Sequence, residues 1–284
     1  MRTTPGSTGR GGGLAYDRRG SGPVVVMLHG LGSSRRCWDL LVPLISDRAT
    51  VYTVDLPGHG ESDWDHSVTS IHPRELAVAV ADWLDSIGVD TAHVVGNSMG
   101  GWVGLELAAL GRAGSVTALC PAGFWADDFH PSTSLPETRD LALWLRPVLP
   151  ALMSSRLARR VAFRNAVERP GNVPFHIALD AATAQIMARG FDACLNGMTG
   201  TNAKCAVDVP ATVPMTVVFG DRDRVLPAPA FQRRDLAPGH ADWQVWWRCG
   251  HAPMWDVPDA CAALVHRQLD AAVADRHDGW AGRT

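Results

Sequence analysis

Lysine is almost missing from this chain: of 26 basic residues only Lys204 is a lysine, and only Tyr16 and Tyr52 are tyrosines, against 11 tryptophans. A Schiff-base mechanism would therefore rest on Lys204 alone. A P-loop lysine is excluded, because Asn202-Ala203-Lys204-Cys205 has no glycine-rich run before it. An excess of positive charge is lacking too. The net charge of −3 argues against a nucleic-acid partner, which needs a cationic face. No apolar run of about 18 residues is present to span a bilayer, so no membrane partner is expected. Residues 1–13 carry arginine but no apolar stretch of the secretory kind, and are expected to form a flexible, frayed leader. The six cysteines are scattered without a C-x-x-C pair, which points to reduced thiols and a cytoplasmic setting. There is no H-E-x-x-H and no Cys/His cluster, so no metal is expected. Gly9-Arg10-Gly11-Gly12-Gly13 follows no strand-like run, so no dinucleotide cofactor is expected either.

What the sequence does hold is apolar material: 46% hydrophobic against 19% charged residues over 284 positions, enough for a full core. Short continuous apolar runs recur at 24–28, 51–54, 92–95, 115–119, 215–219 and 243–247. Such runs, without alternation, read as strands buried on both faces of a parallel sheet. Helical spacing lies between them at 38–46, 73–87, 102–110 and 260–273. This alternation predicts an α/β, doubly wound, mostly parallel sheet with its sites at the carboxyl ends of the strands. Between about 124 and 209 it stops. That segment shows helix patterning, prolines and no convincing strand, so it reads as a helical cap inserted into one core formed by 14–123 and 210–284.

One motif carries chemistry. Gly96-Asn97-Ser98-Met99-Gly100 is G-x-S-x-G between an apolar run and a helix. A sharp strand-to-helix turn would strain the serine backbone and expose its hydroxyl at the sheet end, with glycines avoiding clashes on either side. A serine nucleophile needs a base, and the base an orienting carboxylate. His251, in a loop after the run 243–247, is the candidate base. His29 and His59 are rivals inside glycine-rich turns, and His266 is expected to be exposed on a late helix. Asp221 and Asp223, after the run 215–219, are the candidate acids, and they are expected to point apart on an extended chain.

With His29-Gly30-Leu31-Gly32, Asp55-Leu56-Pro57-Gly58-His59-Gly60-Glu61-Ser62, Gly96 to Gly101, Gly220-Asp221-Arg222-Asp223 with Pro227, and Gly250-His251 in this order, residues 14–275 resemble the α/β-hydrolase superfamily. The resemblance implies Ser98 as nucleophile, His251 as base and Asp223 rather than Asp221 as acid. It also implies an oxyanion hole from the backbone N–H groups of Leu31 and Met99, with Gly32 as the substitute for Leu31 if the turn is shifted. His29 would then shape that loop, and His59 would hold a turn. Dehalogenases and epoxide hydrolases of this fold carry an aspartate at the elbow, so Ser98 points away from them.

The expected activity is hydrolysis of a small to medium apolar ester or thioester through an acyl-enzyme, with a small-molecule substrate as partner. The elbow is also similar to that of meta-cleavage-product hydrolases, which cut C–C bonds, although Ala252 stands where those enzymes usually have a tryptophan. A non-hydrolytic eliminase or cyclase, or a ligand-binding member of the fold, is the third reading. A monomer and a homodimer both stay open. In the cap, Trp125, Phe129, Trp144, Phe163, Phe175 and Phe191 supply aromatic surface. Of Arg139, Arg146, Arg156, Arg159, Arg160, Arg164, Arg169 and Arg189, one turned inward would grip a substrate carboxylate.

Overall fold

The computed structural model describes residues 6–126, 144 and 146–281. Eight strands form one sheet: β1 Ser7–Gly11, β2 Leu14–Arg19, β3 Val24–Leu28, β4 Thr50–Val54, β5 Ala92–Asn97, β6 Ala113–Leu119, β7 Met215–Gly220 and β8 Asp242–Trp246. Their order is β1-β2-β4-β3-β5-β6-β7-β8. The first two pairings, β1 with β2 and β2 with β4, are antiparallel, and the other five are parallel. All six apolar runs of the sequence become parallel strands, and β4 and β7 are buried at every position. A strand covered on both faces can be apolar throughout, which explains why β4 and β7 do not alternate, whereas β8, at the sheet edge, is only partly covered.

The strands at the amino end were not legible in this way. Residues 7–11 form a strand on the sheet edge where a frayed leader was expected, pairing Ser7 with Arg18 through to Gly11 with Leu14. This correction has a simple cause. An edge strand with solvent on one side needs few apolar residues, and its glycines removed the remaining signal. Gly12 and Gly13, with φ of 53° and 79°, make the hairpin turn.

The main helices follow the periodicity. Helix α1, Pro73–Ser86, buries Leu76, Val80, Trp83 and Leu84, and helix α2, Met99–Ala109, is buried almost throughout. The last helix, α8 Pro258–Ala281, starts just before its expected position. The stretch 38–46 differs. It winds as two short 3-10 turns, Arg35–Trp38 and Val42–Leu44, because Pro43 has no N–H to continue a helix. Between 124 and 209 the described residues hold no strand. They form α3 Leu149–Ser154, α4 Arg156–Ala162, α5 Phe175–Met187 and α6 Phe191–Met198. One further short helix, α7 Pro253–Asp256, follows the loop that carries His251. No helix of the described residues is long and apolar enough to cross a membrane.

Candidate active site

Four strands end at one place. The carboxyl ends of β3, β5, β7 and β8 lead into His29–Ser33, Ser98, Asp223 and His251 respectively. This is the edge where a doubly wound sheet opens a crevice.

Ser98 sits on the turn between β5 and α2 with φ 54° and ψ −119°, a conformation that costs a non-glycine residue of order 1–3 kcal/mol. The surroundings hold it there. Its N–H donates to Leu119 O at 3.0 Å, and its carbonyl accepts from Gly101, Trp102 and Ala122 N–H at 2.9, 3.2 and 3.0 Å. The flanking glycines are required by close backbone approach. A Cβ on Gly96 would lie 2.1 Å from Gly100 O, and one on Gly100 2.1 Å from Leu28 O. Asn97 ties the elbow to the neighbouring loop, donating from Nδ2 to Leu119 O at 3.0 Å and to His251 O at 2.9 Å.

His251 and Asp223 meet. His251 Nδ1 lies 2.9 Å from Asp223 Oδ2, and both side chains are almost fully buried. The other carboxylate oxygen accepts from Val225 and Leu226 N–H at 2.9 and 2.8 Å, so two amides fix the carboxylate. Asp221 does not reach the histidine. It is exposed, accepts from Cys249 N–H at 3.2 Å and lies 3.4 Å from Arg222 Nε. The expected reason for their separation needs correction, because residues two apart on a strand share a face. What parts them is a turn, closed by Asp223 N–H donating to Gly220 O at 3.2 Å.

Cys120, at the end of β6 with φ 45°, went unnoticed in the sequence. Its Sγ donates to Gly250 O at 3.5 Å. Burial, reinforced by the nearby Asp223 carboxylate, pushes its thiol well above the ordinary range, so it stays protonated. Ligand-type atoms of Cys120, Asp223 and His251 lie within 4.8 Å of one another. A protonated thiol and a carboxylate already accepting three hydrogen bonds suit a structural hydrogen-bonded cluster better than a cation site.

His29 is wholly buried and acts on the loop after β3. Leu56 N–H donates to its Nε2 at 3.0 Å, which places the ring proton on Nδ1, and Nδ1 donates to Gly30 O at 2.8 Å. Burial lowers its pKa to about 4, so the ring is neutral. Gly30 O also accepts from Ser33 N–H at 3.1 Å. In a planar trans peptide the next N–H points the other way, so the Leu31 amide faces away from His29. Neither the Leu31 nor the Met99 amide donates to any group among the described residues. A Cβ on Gly30 would stand 3.1 Å from Ser98 Cβ, which shows how closely this loop approaches the serine. His59 instead bonds Pro57 O at 3.0 Å within its own turn. The turn 55–62 is further held by Asp55, which accepts from Arg35 and Glu61 N–H at 2.7 and 2.9 Å and pairs with the buried Arg35 guanidinium. His266 is half-buried, not exposed.

Ser98 and His251 both line a cavity of about 770 Å³. Its walls are mainly apolar and come largely from the cap: Leu149, Leu152, Met153, Val161, Phe163 and Ile186 among them. Trp255, placed by α7, closes one side with its Nε1 donating to Cys37 O at 2.8 Å and its ring packed edge-on to Phe163. Gln185 is the one polar cap side chain among the described lining residues, and it lies over Gly32, where a Cβ would meet its Oε1 at 2.3 Å. No arginine or lysine lines the cavity among the described residues. Arg159 turns inward, but to the cap's own backbone, donating to Ser154 O at 3.1 Å, Gly171 O at 3.4 Å and Met153 O. Arg189 donates to Ser62 O at 2.5 Å. Arg146, Arg156, Arg160, Arg164 and Arg169 are exposed, and Arg139 lies outside the described residues. Of the five cap aromatics among the described residues, only Phe163 lines the cavity. Trp125 and Phe191 are core, Trp144 and Phe175 are exposed, and Phe129 lies outside the described residues.

Comparison with known proteins agrees with this architecture. An acetyltransferase component of an acetoin-cleaving system from Cupriavidus necator is 28% identical over 271 residues, 90% of this chain, which spans 66% of that protein's length. An epoxide hydrolase of Mycobacterium tuberculosis is 30% identical over 209 residues, 67% of this chain and 91% of its own. Among solved structures, a meta-cleavage product hydrolase from Pseudomonas fluorescens superimposes with a TM-score of 0.71 at 19% identity, over 94% of this chain and 98% of that one. The alpha/beta hydrolase family matches residues 25–264, and with a family match over most of its length and this sheet order the chain belongs to the alpha/beta hydrolase family.

Proposed function

We propose that the protein is a serine hydrolase of small to medium apolar esters or thioesters, working through an acyl-enzyme. The observation that carries this reading is the buried Asp223–His251 pair and a serine held at positive φ, with Ser98 and His251 both lining one apolar cavity. Ser98 Oγ attacks the acyl carbonyl while His251 Nε2 takes its proton, and Asp223 holds the ring and balances the imidazolium. The oxyanion is received by the amides of Leu31 and Met99, each worth about 10²–10³ in rate. Collapse breaks the bond to the alcohol or thiol, which leaves with the proton from His251. Water, deprotonated by the same ring, then attacks the acyl carbon and frees the acid and Ser98.

The cavity favours this substrate class over its competitors. A dienoate, the substrate type of C–C hydrolases, brings a carboxylate, and no arginine or lysine among the described residues lines the cavity to receive it. Epoxide opening by Ser98 would leave an ether, with no carbonyl for water to attack, so the enzyme would stall after one turnover.

The test is labelling of the intact protein with a fluorophosphonate, followed by turnover of p-nitrophenyl esters of increasing acyl length. Labelling that disappears in Ser98→Ala, with turnover of the esters, is the expected result. An unlabelled Ser98 overturns the nucleophile, and labelling without turnover of any ester overturns the hydrolase reading.

A further inference from the structure

Apart from the cavity interior, the cap presents an outer surface with an unusual composition. From 146 to 167 the chain holds five arginines, Arg146, Arg156, Arg159, Arg160 and Arg164, and no aspartate or glutamate, although the whole chain carries a net charge of −3. Arg159 is buried and bonded to backbone carbonyls. The other four are exposed, and none of them pairs with a carboxylate among the described residues. Interleaved with them are apolar side chains left in water: Leu157 is 69% exposed, Val161 61% and Val148 47%. Positions 156, 157, 160 and 161 fall one and four residues apart, so on α4 they share one side, while Ala158 and Arg159 turn inward and Arg164 follows, exposed, in the turn after the helix. Leu152 and Val161 are at once exposed and part of the cavity wall, so the outer face runs without a break into the mouth of the cavity.

Exposed aliphatic side chains alternating with unpaired arginines suit the boundary between anionic headgroups and acyl chains. The aliphatic groups enter the apolar layer while the guanidiniums stay at headgroup level on their flexible stems. A water-facing surface gains nothing from four uncovered aliphatic side chains. We propose that the outer face of α3 and α4 docks the protein peripherally on an anionic phospholipid surface, with the cavity mouth turned to the lipid so that apolar esters enter from that surface. The docking stands by itself; the clause about esters rests on the proposed hydrolase activity. Peripheral docking requires no spanning segment, so the lack of a long apolar run, which led to the expectation of no membrane partner, does not bear on it.

The full chain carrying Ser98→Ala is co-sedimented with vesicles of phosphatidylcholine alone and of phosphatidylcholine mixed with phosphatidylglycerol. Binding to the mixed vesicles is expected to exceed binding to the neutral ones by at least about tenfold and to fall as salt screens the arginines. Arg156→Glu with Arg160→Glu, and separately Leu157→Asp, are each expected to lower it about tenfold or more. In the Ser98 background both variants should keep wild-type turnover of a water-soluble p-nitrophenyl ester, which shows that they fold. Equal binding to both vesicle types, or binding that survives both variants, overturns the proposal. So does absence of vesicle binding accompanied by arginine-dependent retention on an acidic polypeptide, which would give the face to an acidic protein. Docking without turnover of any ester would instead leave the surface in place and remove the hydrolase reading, so the two failures are distinguishable.

Discussion

At the strand ends Ser98 and Asp223 are gripped by main-chain hydrogen bonds, whereas the cap reaches the same cavity mostly through methyl groups and a few rings. Ser98 is fixed by four backbone hydrogen bonds and Asp223 by two amides. Leu149, Met153 and Val161 contribute only surface. Backbone bonds are directional and fix positions to fractions of an ångström, which a proton relay needs. Apolar packing is non-directional, so many side chains can fill a wall equally well. On the proposed reading the core sets which reaction can occur, and the cap sets what fits.

Substitutions can break this division, and the largest effect is expected at Asp223, the proposed acid. Asp223→Asn is expected to lower kcat for a p-nitrophenyl ester by about 10³–10⁴, because an amide no longer holds the imidazolium. Asp221→Asn should stay within about twofold, since Asp221 contacts only Cys249 N–H and Arg222. If the two results are exchanged, the assignment of the acid is wrong. Next comes the elbow. Gly96→Ala places a Cβ 2.1 Å from Gly100 O, and the protein should lose about 3 kcal/mol in urea unfolding.

A third effect concerns pH. His29 has its folded pKa lowered to about 4, below the ordinary 6.5, because burial disfavours the charged ring. The unfolded chain thus binds the proton more readily, and stability is fully present above about pH 6.5 and is lost as the pH falls towards 4. About 2 kcal/mol should be missing at pH 5 relative to pH 7 in urea unfolding, and His29→Gln should remove most of that slope. The smallest effect is expected in the cap. Ala181→Phe, on the cavity wall, should lower turnover of long-chain esters about tenfold relative to an acetyl ester, leaving Tm within about 2 °C. Equal losses for all chain lengths would mean that the cap also governs the chemical step.

Legibility in the sequence followed the same division. The buried strands could be read because a two-sided covering demands continuous apolar residues, and the elbow because Gly96 and Gly100 have no room for a side chain. Strand β1 could not be read, since an edge places no such demand. His29 could be placed in the turn after β3 from its neighbours, yet its proton position came from Leu56, 27 residues away. Trp255, Gln185 and Cys120 gave no local signal at all. Their parts arise from Cys37, Gly32 and Gly250, each far along the chain from its partner. The arginine excess in the cap was plain in the composition, but it suggested an inward counter-ion, and the described arginines are either exposed or bonded to backbone.

The sequence by itself determined the sheet, the family and the candidates Ser98, His251 and Asp223, because each depends on a local requirement: an unbroken apolar run, a glycine with no space for Cβ, a turn at a strand end. Only the tertiary structure decided that a turn, and not an extended chain, parts Asp223 from Asp221, that the cavity wall carries no arginine among the described residues, and that arginines and aliphatic side chains share one outer face of the cap. Those outcomes depend on which distant segments pack together, and non-directional packing leaves no local pattern from which that choice can be read.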